Sequence, residues 1–284
     1  MQTSNTTAAA VSDADILAEI ERLALLAGRA VMDIFRSKFA VECKPDDSPV
    51  TEADRAAETI ILQGLRAHFP EIKCVAEEEC AAGKQPRELG REFFLIDPLD
   101  GTREFVNRHH DFTVNIALVR DGVPEVGVVY APASGRLFRG LPGRADAAEV
   151  LSDLSIANRR PIAVRQAVEP YTIVASRSHR TPETDAYIVK FGVAEIVSVG
   201  SSLKFCLIAA GEADLYPRFG PTMEWDTAAG DAVLRAAGGM TETLDGQPLP
   251  YGKKDRVDQA DFANPAFICR GRLDRVRADA RTPV

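Results

Sequence analysis

Three features that often reveal the class of a protein are missing from this sequence. Its 284 residues carry 34 Lys and Arg against 42 Asp and Glu, a net charge of −8, so no excess of positive charge attracts nucleic acid or anionic lipid. No stretch approaches the roughly 18 apolar residues of a membrane span. Residues 1–10 lack the basic start and apolar run of a signal peptide. We therefore expect no nucleic-acid partner and no integral membrane contact, and an anionic substrate would need local cations.

Paired metal-binding or redox motifs are also missing. The cysteines are odd in number and show neither CxxC pairs nor zinc-ligand spacing; they are Cys43, Cys74, Cys80, Cys206 and Cys269. This favours a reducing cytoplasm, with peripheral association at the inner membrane as the alternative. The adjacent His109 and His110 could bind a metal or act in acid-base chemistry. Because they lie in a polar loop, we expect them to be surface residues instead.

The remaining composition is that of a globular protein with a substantial core. The chain is 45% hydrophobic and 27% charged, which suits one large domain or two smaller ones. Ser12 and Asp15 predict the cap of a first helix running to about Ser37. Thr51 opens a second helix that ends near residue 69, and there Asp54 fits a capping box with Thr51, which is the simpler explanation of that carboxylate.

Short β-rich runs follow the two helices. Residues 72–76 and 93–96 predict strands, and residues 112–119 and 126–130 predict a hairpin. Residues 140–160 show little periodicity, so we expect a loop there with a domain boundary near it. Later strands are expected at residues 171–175 and 195–199. Mixed helices and strands agree with an α/β or α+β fold.

The densest group of candidate ligands follows residues 93–96. It reads Asp97-Pro98-Leu99-Asp100-Gly101-Thr102. Hard cations such as Mg²⁺ take carboxylate and carbonyl oxygens, and backbone N–H groups at a helix start suit an anion. The stretch therefore predicts cation ligands and phosphate donors side by side. The alternative is a surface turn, because Asp, Pro and Gly are ordinary turn formers.

A second acidic group ends the strand predicted at residues 72–76. Glu77, Glu78 and Glu79 repel one another, which favours either exposure or a bound cation. Sites in sheet-and-helix proteins gather at the carboxyl ends of strands. If the two strands are neighbours, this group lies close to Asp97 and Asp100.

The C-terminal half adds cations and one more carboxylate. Lys204 lies early in an apolar helix expected over residues 203–211, where a buried lysine needs an anionic partner; the alternative is that its amine reaches solvent. Arg218 ends a predicted strand. Asp226 opens another helix, either as its N-cap or as a metal ligand.

Three of these motifs together resemble a known family. They are Glu77-Glu78, Asp97-Pro98-Leu99-Asp100-Gly101-Thr102 and Trp225-Asp226-Thr227-Ala228-Ala229-Gly230. In order and spacing they are similar to the signatures of the inositol monophosphatase superfamily of metal-dependent, lithium-sensitive phosphatases. Residues 103–105, 112–117 and 200–206 look most like the bacterial 3′(2′),5′-bisphosphate nucleotidases. Those enzymes convert adenosine 3′,5′-bisphosphate, which sulfate assimilation produces, to AMP and phosphate.

The resemblance implies a layered αβαβα sandwich. Residues 1–155 would form an N-terminal half with paired helices on an antiparallel sheet and the metal-binding carboxylates. Residues 156–284 would form a smaller α/β half that contributes substrate recognition and Asp226. The site would lie in the cleft between the halves, and a homodimer is compatible with the sequence.

The resemblance also assigns roles to individual residues, with two or three Mg²⁺ ions as the cofactor. Metal ligands would be Glu77, Asp97, the Leu99 carbonyl, Asp100 and Asp226. The nucleophilic water would be oriented by Glu77, Thr102 and Asp54. Substrate contacts would come from Glu77, Leu99, Asp100, Gly101, Thr102, Ser201, Lys204, Arg218 and Asp226. The chain has Ala76 and three glutamates where the family usually shows Ser or Gly and two glutamates, so Glu77 is preferred to Glu78 as the ligand.

A phosphate monoester is anionic and resists hydroxide attack, and two metals would screen its charge and hold the attacking water. One ion, on Glu77, Asp97 and the Leu99 carbonyl, would activate a water. A second, on Asp97, Asp100 and Asp226, would bind the phosphate and stabilise the leaving ribose oxygen. The alternative enzyme is an inositol monophosphatase or another sugar or inositol phosphate phosphatase. The alternative outside enzymes is a nucleotide- or metal-binding module on the same fold.

Overall fold

Two large β-sheets, separated and covered by helices, make up the computed structural model of this chain. The structure describes residues 11–43, 49–189 and 195–272, so the expectation for residues 1–10 lies outside the described part. Within that part, no helix is both long and apolar enough to cross a membrane. Cys74, Cys80, Cys206 and Cys269 are free thiols.

Two long helices begin where the capping patterns predict. Helix α1 spans Asp13–Phe35, and the Ser12 hydroxyl accepts the Asp15 N–H at 3.2 Å. Helix α2 spans Glu52–His68, and the Asp54 carboxylate accepts the Thr51 N–H at 2.8 Å. Both helices bury one apolar face against the larger sheet.

The larger sheet has seven strands in sequence order. They are β3 (Lys73–Ala76), β4 (Glu92–Asp100), β5 (Thr113–Arg120), β6 (Val123–Ala131), β7 (Arg136–Leu141), β8 (Arg144–Val150) and β9 (Ile156–Pro161). The expected hairpin is β5 and β6. Neighbouring strands are antiparallel except β3 and β4, which run parallel, so the expectation of an antiparallel sheet is wrong at this edge. A smaller pair, β1 (Val41–Cys43) and β2 (Pro49–Thr51), precedes α2.

The loop expected over residues 140–160 is wrong, because strands β7, β8 and β9 occupy most of it. Leu141 pairs with Arg144, so the Pro-Gly pair between them makes a two-residue turn with Gly143 at φ +77°. Alanines lie buried along β8, and the Asp146 carboxylate accepts hydrogen bonds from arginines on both neighbouring strands. Packing and ion pairs therefore impose strand structure on residues of low β-propensity.

The second sheet belongs to the C-terminal half. Its strands are β10 (Thr172–Ser176), β11 (Glu195–Val199), β12 (Leu215–Arg218), β13 (Met240–Thr243) and β14 (Phe267–Arg270), in the order β11-β10-β12-β14-β13. The other helices are α3 (Glu77–Ala81), α4 (Thr102–Val106), α5 (Pro182–Val189), α6 (Leu203–Ala209) and α7 (Glu224–Ala236).

Alternating side chains of the strands show how these elements stack. On β4, Phe94 and Ile96 face the core shared with α1 and α2, whereas Phe93 and Leu95 face the core shared with α6 and α7. The smaller sheet contributes Val174 to that second core and packs its other face toward α5. The layers are therefore helix, sheet, helix, sheet, helix, and the expected αβαβα sandwich is confirmed.

Candidate active site

A single cleft, bordered by both halves of the fold, collects nearly all the residues expected to act. Lining it are Glu77, Asp97, Leu99, Asp100, Gly101, Thr102, Ser201, Lys204, Arg218 and Asp226. Asp54 lies behind the wall, where Thr102 Oγ1 approaches Asp54 Oδ1 to 3.1 Å. His109 and His110 are exposed and do not line the cleft.

The end of β4 brings two aspartates to the same surface. In a regular strand, residues three apart face opposite sides. The pairing of β4 with β5 shifts register between Asp97 and Asp100, where Pro98 has no N–H for the ladder. Because of this irregularity both carboxylates line the cleft. Asp97 Oδ1 also accepts the Leu99 N–H at 3.0 Å, which braces the bend.

Glycine is required directly after Asp100. Gly101 has φ +92°, and a Cβ there would lie 3.0 Å from the Asp111 carbonyl oxygen and 3.3 Å from Phe112 Cα. The chain then enters α4 at Thr102. The Thr102 hydroxyl lies 3.1 Å from the Leu99 carbonyl oxygen and 3.1 Å from Asp54 Oδ1, so its one proton can go to either acceptor.

Glu77 reaches the cleft because β3 and β4 are parallel neighbours. Ala76 pairs with Ile96, so the residues that follow them, Glu77 and Asp97, emerge side by side. Glu78 instead borders a separate depression beside α2. This placement supports the preference for Glu77, whose role as a ligand stays a prediction.

Ser202 connects the two halves beneath the cleft. Its N–H donates to Asp100 Oδ2 at 2.6 Å, its hydroxyl donates to the Asp226 carbonyl, and that hydroxyl accepts Asn115 Nδ2 at 3.0 Å. Asp226 itself is not the N-cap of α7. It lies in the first turn, where its carboxylate accepts the N–H of Met223, the actual N-cap, at 2.8 Å.

The carboxylates of the cleft raise one another's pKa. Burial, followed by the charges of Glu77, Asp100 and Asp226, holds the pKa of Asp97 well above its ordinary value. Burial, followed by the charges of Asp100 and Glu77, holds the pKa of Asp226 well above its ordinary value too. Burial also raises the pKa of Asp100, and nearby Lys204 opposes that rise. A cation among these groups would reverse the effect by favouring their charged forms.

The donor set fits a hard divalent cation. Four carboxylates and the Leu99 carbonyl offer only oxygen, which Mg²⁺ prefers. In the ranges that the structure covers, no three His, Cys, Asp or Glu side chains already stand close enough together to hold a metal ion.

Two cations lie on the wall contributed by the second half. Lys204 is buried, so the interpretation that its amine reaches solvent is wrong; the amine donates to the backbone carbonyl of Ser201 at 2.5 Å. Burial lowers the pKa of Lys204 to about 8, and the Asp100 charge opposes that shift. Arg218 is also buried and donates from both terminal nitrogens to backbone carbonyls, whereas its Nε has no hydrogen-bond partner among the described residues.

Sequence reasoning missed several residues that shape the cleft. Glu104 is buried and accepts the Ser178 hydroxyl at 2.6 Å. His179 lines the cleft with a pKa lowered by burial and by Arg218. Asn115 had a signal in the sequence, as a polar residue inside an apolar strand. His179 had none, because only the fold brings its loop to β4.

Known proteins are similar to this chain in sequence and in fold along most of its length. A model of the inositol monophosphatase family matches residues 13–272. The 3′(2′),5′-bisphosphate nucleotidase CysQ of Escherichia coli strain K12 is 43% identical over 254 residues, which cover 89% of this chain and 98% of that protein. Among solved structures, CysQ from Bacteroides thetaiotaomicron is 36% identical with a TM-score of 0.75, covering 92% of this chain and 98% of that one. An inositol monophosphatase from Anabaena is 27% identical with a TM-score of 0.66, covering 90% and 91%.

Proposed function

This chain belongs to the inositol monophosphatase family, and from that premise we propose that it is a 3′(2′),5′-bisphosphate nucleotidase. It removes the 3′-phosphate of adenosine 3′,5′-bisphosphate to give AMP and inorganic phosphate. The observation that carries the proposal is a cleft with two unlike walls, one of carboxylates and one holding Lys204 and Arg218. The first wall suits divalent cations, and the second suits a substrate with an additional phosphate.

The carboxylate wall would hold two or three Mg²⁺ ions. The ligands would be Glu77, Asp97, the Leu99 carbonyl, Asp100 and Asp226. When bound, the ions supply a water of lowered pKa and neutralise the charge of the phosphate and of the leaving oxygen. The chain's own contribution is to hold these oxygens on one rigid surface, since three of the carboxylates sit at the ends of two neighbouring strands.

Thr102 and Asp54 orient the attacking water. The Thr102 hydroxyl donates its proton toward Asp54 Oδ1, which leaves Thr102 Oγ1 free to accept a hydrogen bond from the water. Asp54 is fixed because its other oxygen accepts the N–H and the hydroxyl of Thr51, both at 2.8 Å. Water oxygen bonds to phosphorus and the bond from phosphorus to the ribose O3′ breaks; one proton of the water stays on the released phosphate, and the water's other proton balances the one that the ribose oxygen takes up.

The cationic wall would recognise the second phosphate. Arg218 Nε is a buried donor that has no hydrogen-bond partner in the part of the chain that the structure describes, and such a donor is costly unless an acceptor reaches it. A phosphate oxygen would be such an acceptor, and Lys204 adds a second positive charge nearby. Ser201, at the same wall, can donate its hydroxyl to the nucleotide.

The proposal extends to the setting of the enzyme. Inhibition by Li⁺ and clearance of the nucleotide left by sulfate assimilation would follow from the proposed activity. A cytoplasmic location fits this role. A homodimer and the division of the chain at residue 155 stay predictions.

One matched pair of variants and one single variant assayed on two substrates test the proposal. Asp100→Asn should abolish most phosphate release from adenosine 3′,5′-bisphosphate, whereas the matched control Asp121→Asn, which changes an exposed aspartate, should retain it. Arg218→Gln should raise KM for the bisphosphate and leave KM for inositol 1-phosphate unchanged. Near-normal turnover in Asp100→Asn would reject the metal assignment. An unchanged KM in Arg218→Gln would reject the assignment of the second phosphate.

A further inference from the structure

The short helix that begins with Glu77 has no cap of its own. Its N-cap is Ala76, which has the extended backbone of a capping residue, with φ −122° and ψ 145°, but no side chain that can accept a hydrogen bond. The N–H groups in the first turn of a helix have no acceptor within the helix. Serine, threonine, aspartate or asparagine usually supplies one. The first turn of α3 must therefore be satisfied from elsewhere.

Glu58, on helix α2, supplies the missing acceptors. Its Oε2 accepts the Glu78 N–H at 2.8 Å and its Oε1 accepts the Glu79 N–H at 2.9 Å. Glu58 is 5% exposed. Burial raises the pKa of Glu58 to about 7, and the two N–H bonds oppose that rise. In its ionised form the carboxylate accepts both N–H groups in strong, directional bonds and suits the positive end of a helix. Glu58 thus does for α3 what a capping side chain at position 76 does in other helices.

The same face of α2 also holds the other acidic segment of the cleft. Asp54 lies four residues before Glu58, so the two carboxylates are neighbours on one side of the helix. Asp54 contacts Thr102 at the end of β4, and Glu58 contacts the start of α3 after β3. Helix α2 therefore contacts two of the three segments that carry the proposed metal ligands; the third is the start of α7, with Asp226.

We propose that Glu58 is a positioning residue, whose carboxylate caps α3 in place of Ala76, holds Glu77 at the cleft and so sets the affinity of the site for divalent cations. The identity of that site rests on the proposed function. Residues that orient metal ligands typically change metal affinity or activity by about 10–100-fold when they are replaced. Glu58 belongs to this class although it lies outside the cleft.

The test is a calorimetric titration of the full chain with Mg²⁺. Glu58→Gln keeps the size of the side chain but replaces one acceptor oxygen with a donor NH₂ group. The dissociation constant of this variant for Mg²⁺ should therefore be about tenfold or more above that of the wild type. The matched control Glu71→Gln, at an exposed glutamate before β3, should bind as the wild type does. At saturating Mg²⁺, kcat of Glu58→Gln should return to near the wild-type value.

A rescue variant separates capping from simple loss of charge. Adding Ala76→Ser to Glu58→Gln places a hydroxyl acceptor at the N-cap and should restore most of the Mg²⁺ affinity. Serine brings no charge, so rescue excludes a purely electrostatic effect. Unchanged affinity in Glu58→Gln, or failure of Ala76→Ser to rescue it, would overturn the proposal.

Three further outcomes distinguish a failure of this proposal from a failure to fold and from a failure of the proposed function. If circular dichroism shows that Glu58→Gln does not fold, Glu58→Asp takes its place, because a side chain shorter by one methylene keeps the charge but cannot reach both N–H groups; wild-type affinity there would overturn the proposal. A wild type that binds Mg²⁺ but releases no phosphate from the bisphosphate would reject only the proposed function. A wild type that binds no Mg²⁺ would reject both.

Discussion

Ser202 provides a sharp test of how the two halves are joined. Ser202→Ala removes the hydroxyl that donates to the Asp226 carbonyl and accepts from Asn115 Nδ2, while the backbone N–H to Asp100 remains. Two buried hydrogen bonds are lost, each with a net worth of about 1 kcal/mol, so the free energy of unfolding should fall by about 2 kcal/mol. The same loss loosens Asp226 relative to Asp100, so Mg²⁺ affinity should fall as well.

The assay is urea unfolding followed by circular dichroism, with Mg²⁺ titration on the same samples. Ser201→Ala is the matched control, because within residues 11–43, 49–189 and 195–272 the Ser201 hydroxyl accepts only a 3.5 Å contact from the Leu203 N–H. It should change the free energy of unfolding by less than about 0.5 kcal/mol. The reasoning fails if Ser202→Ala is as stable as Ser201→Ala, since the bridge would then contribute nothing.

Three more predictions follow from the described contacts. Because the pKa of Lys204 is about 8, kcat/KM for the bisphosphate should fall as pH rises through 8 and the amine loses its charge; Lys204→Met should show a lower, flatter profile. Burial raises the pKa of Asp146, but its bonds to Arg139 and Arg159 outweigh this and lower it overall. Asp146→Asn should therefore cost about 3 kcal/mol of stability at pH 7, and the difference should shrink as pH falls below the ordinary aspartate pKa of about 3.9. Gly101 has a φ of +92°, which strains a residue with a Cβ, so Gly101→Ala should lower the free energy of unfolding by about 2 kcal/mol and abolish most turnover. Urea unfolding and phosphate release measure the two effects.

Local signals explain which elements could be predicted from the sequence. Ser12 and Thr51 carry side chains that satisfy N–H groups of their own helices, so α1 and α2 could be placed from residues within one turn. Strands β7 to β9 carry no such signal. Their residues adopt strand structure because ion pairs around Asp146 and packing against helices favour it, and both depend on contacts distant in sequence.

The candidate site likewise has a part that could be predicted from the sequence and a part that could not. The motif around Asp97 and Asp100 is contiguous, and its spacing predicted a group of oxygen ligands that the fold brings to one cleft. The contacts that hold this group come from elsewhere in the chain. Glu58 and Glu78 are 20 residues apart in the sequence, and Ser202 and Asp100 are 102 apart. At such separations, the spacing of residues in one sequence does not indicate which side chains meet.

The central claim is that the carboxylates bind the catalytic cations while Lys204 and Arg218 select a bisphosphate. It is tested most directly by measuring phosphate release from adenosine 3′,5′-bisphosphate and inositol 1-phosphate in parallel, with Mg²⁺, with chelator and with added Li⁺. The account predicts Mg²⁺-dependent, Li⁺-sensitive release with a strong preference for the nucleotide. Preference for the inositol ester would contradict the role of the cationic wall, and release that persists in chelator would contradict the metal site.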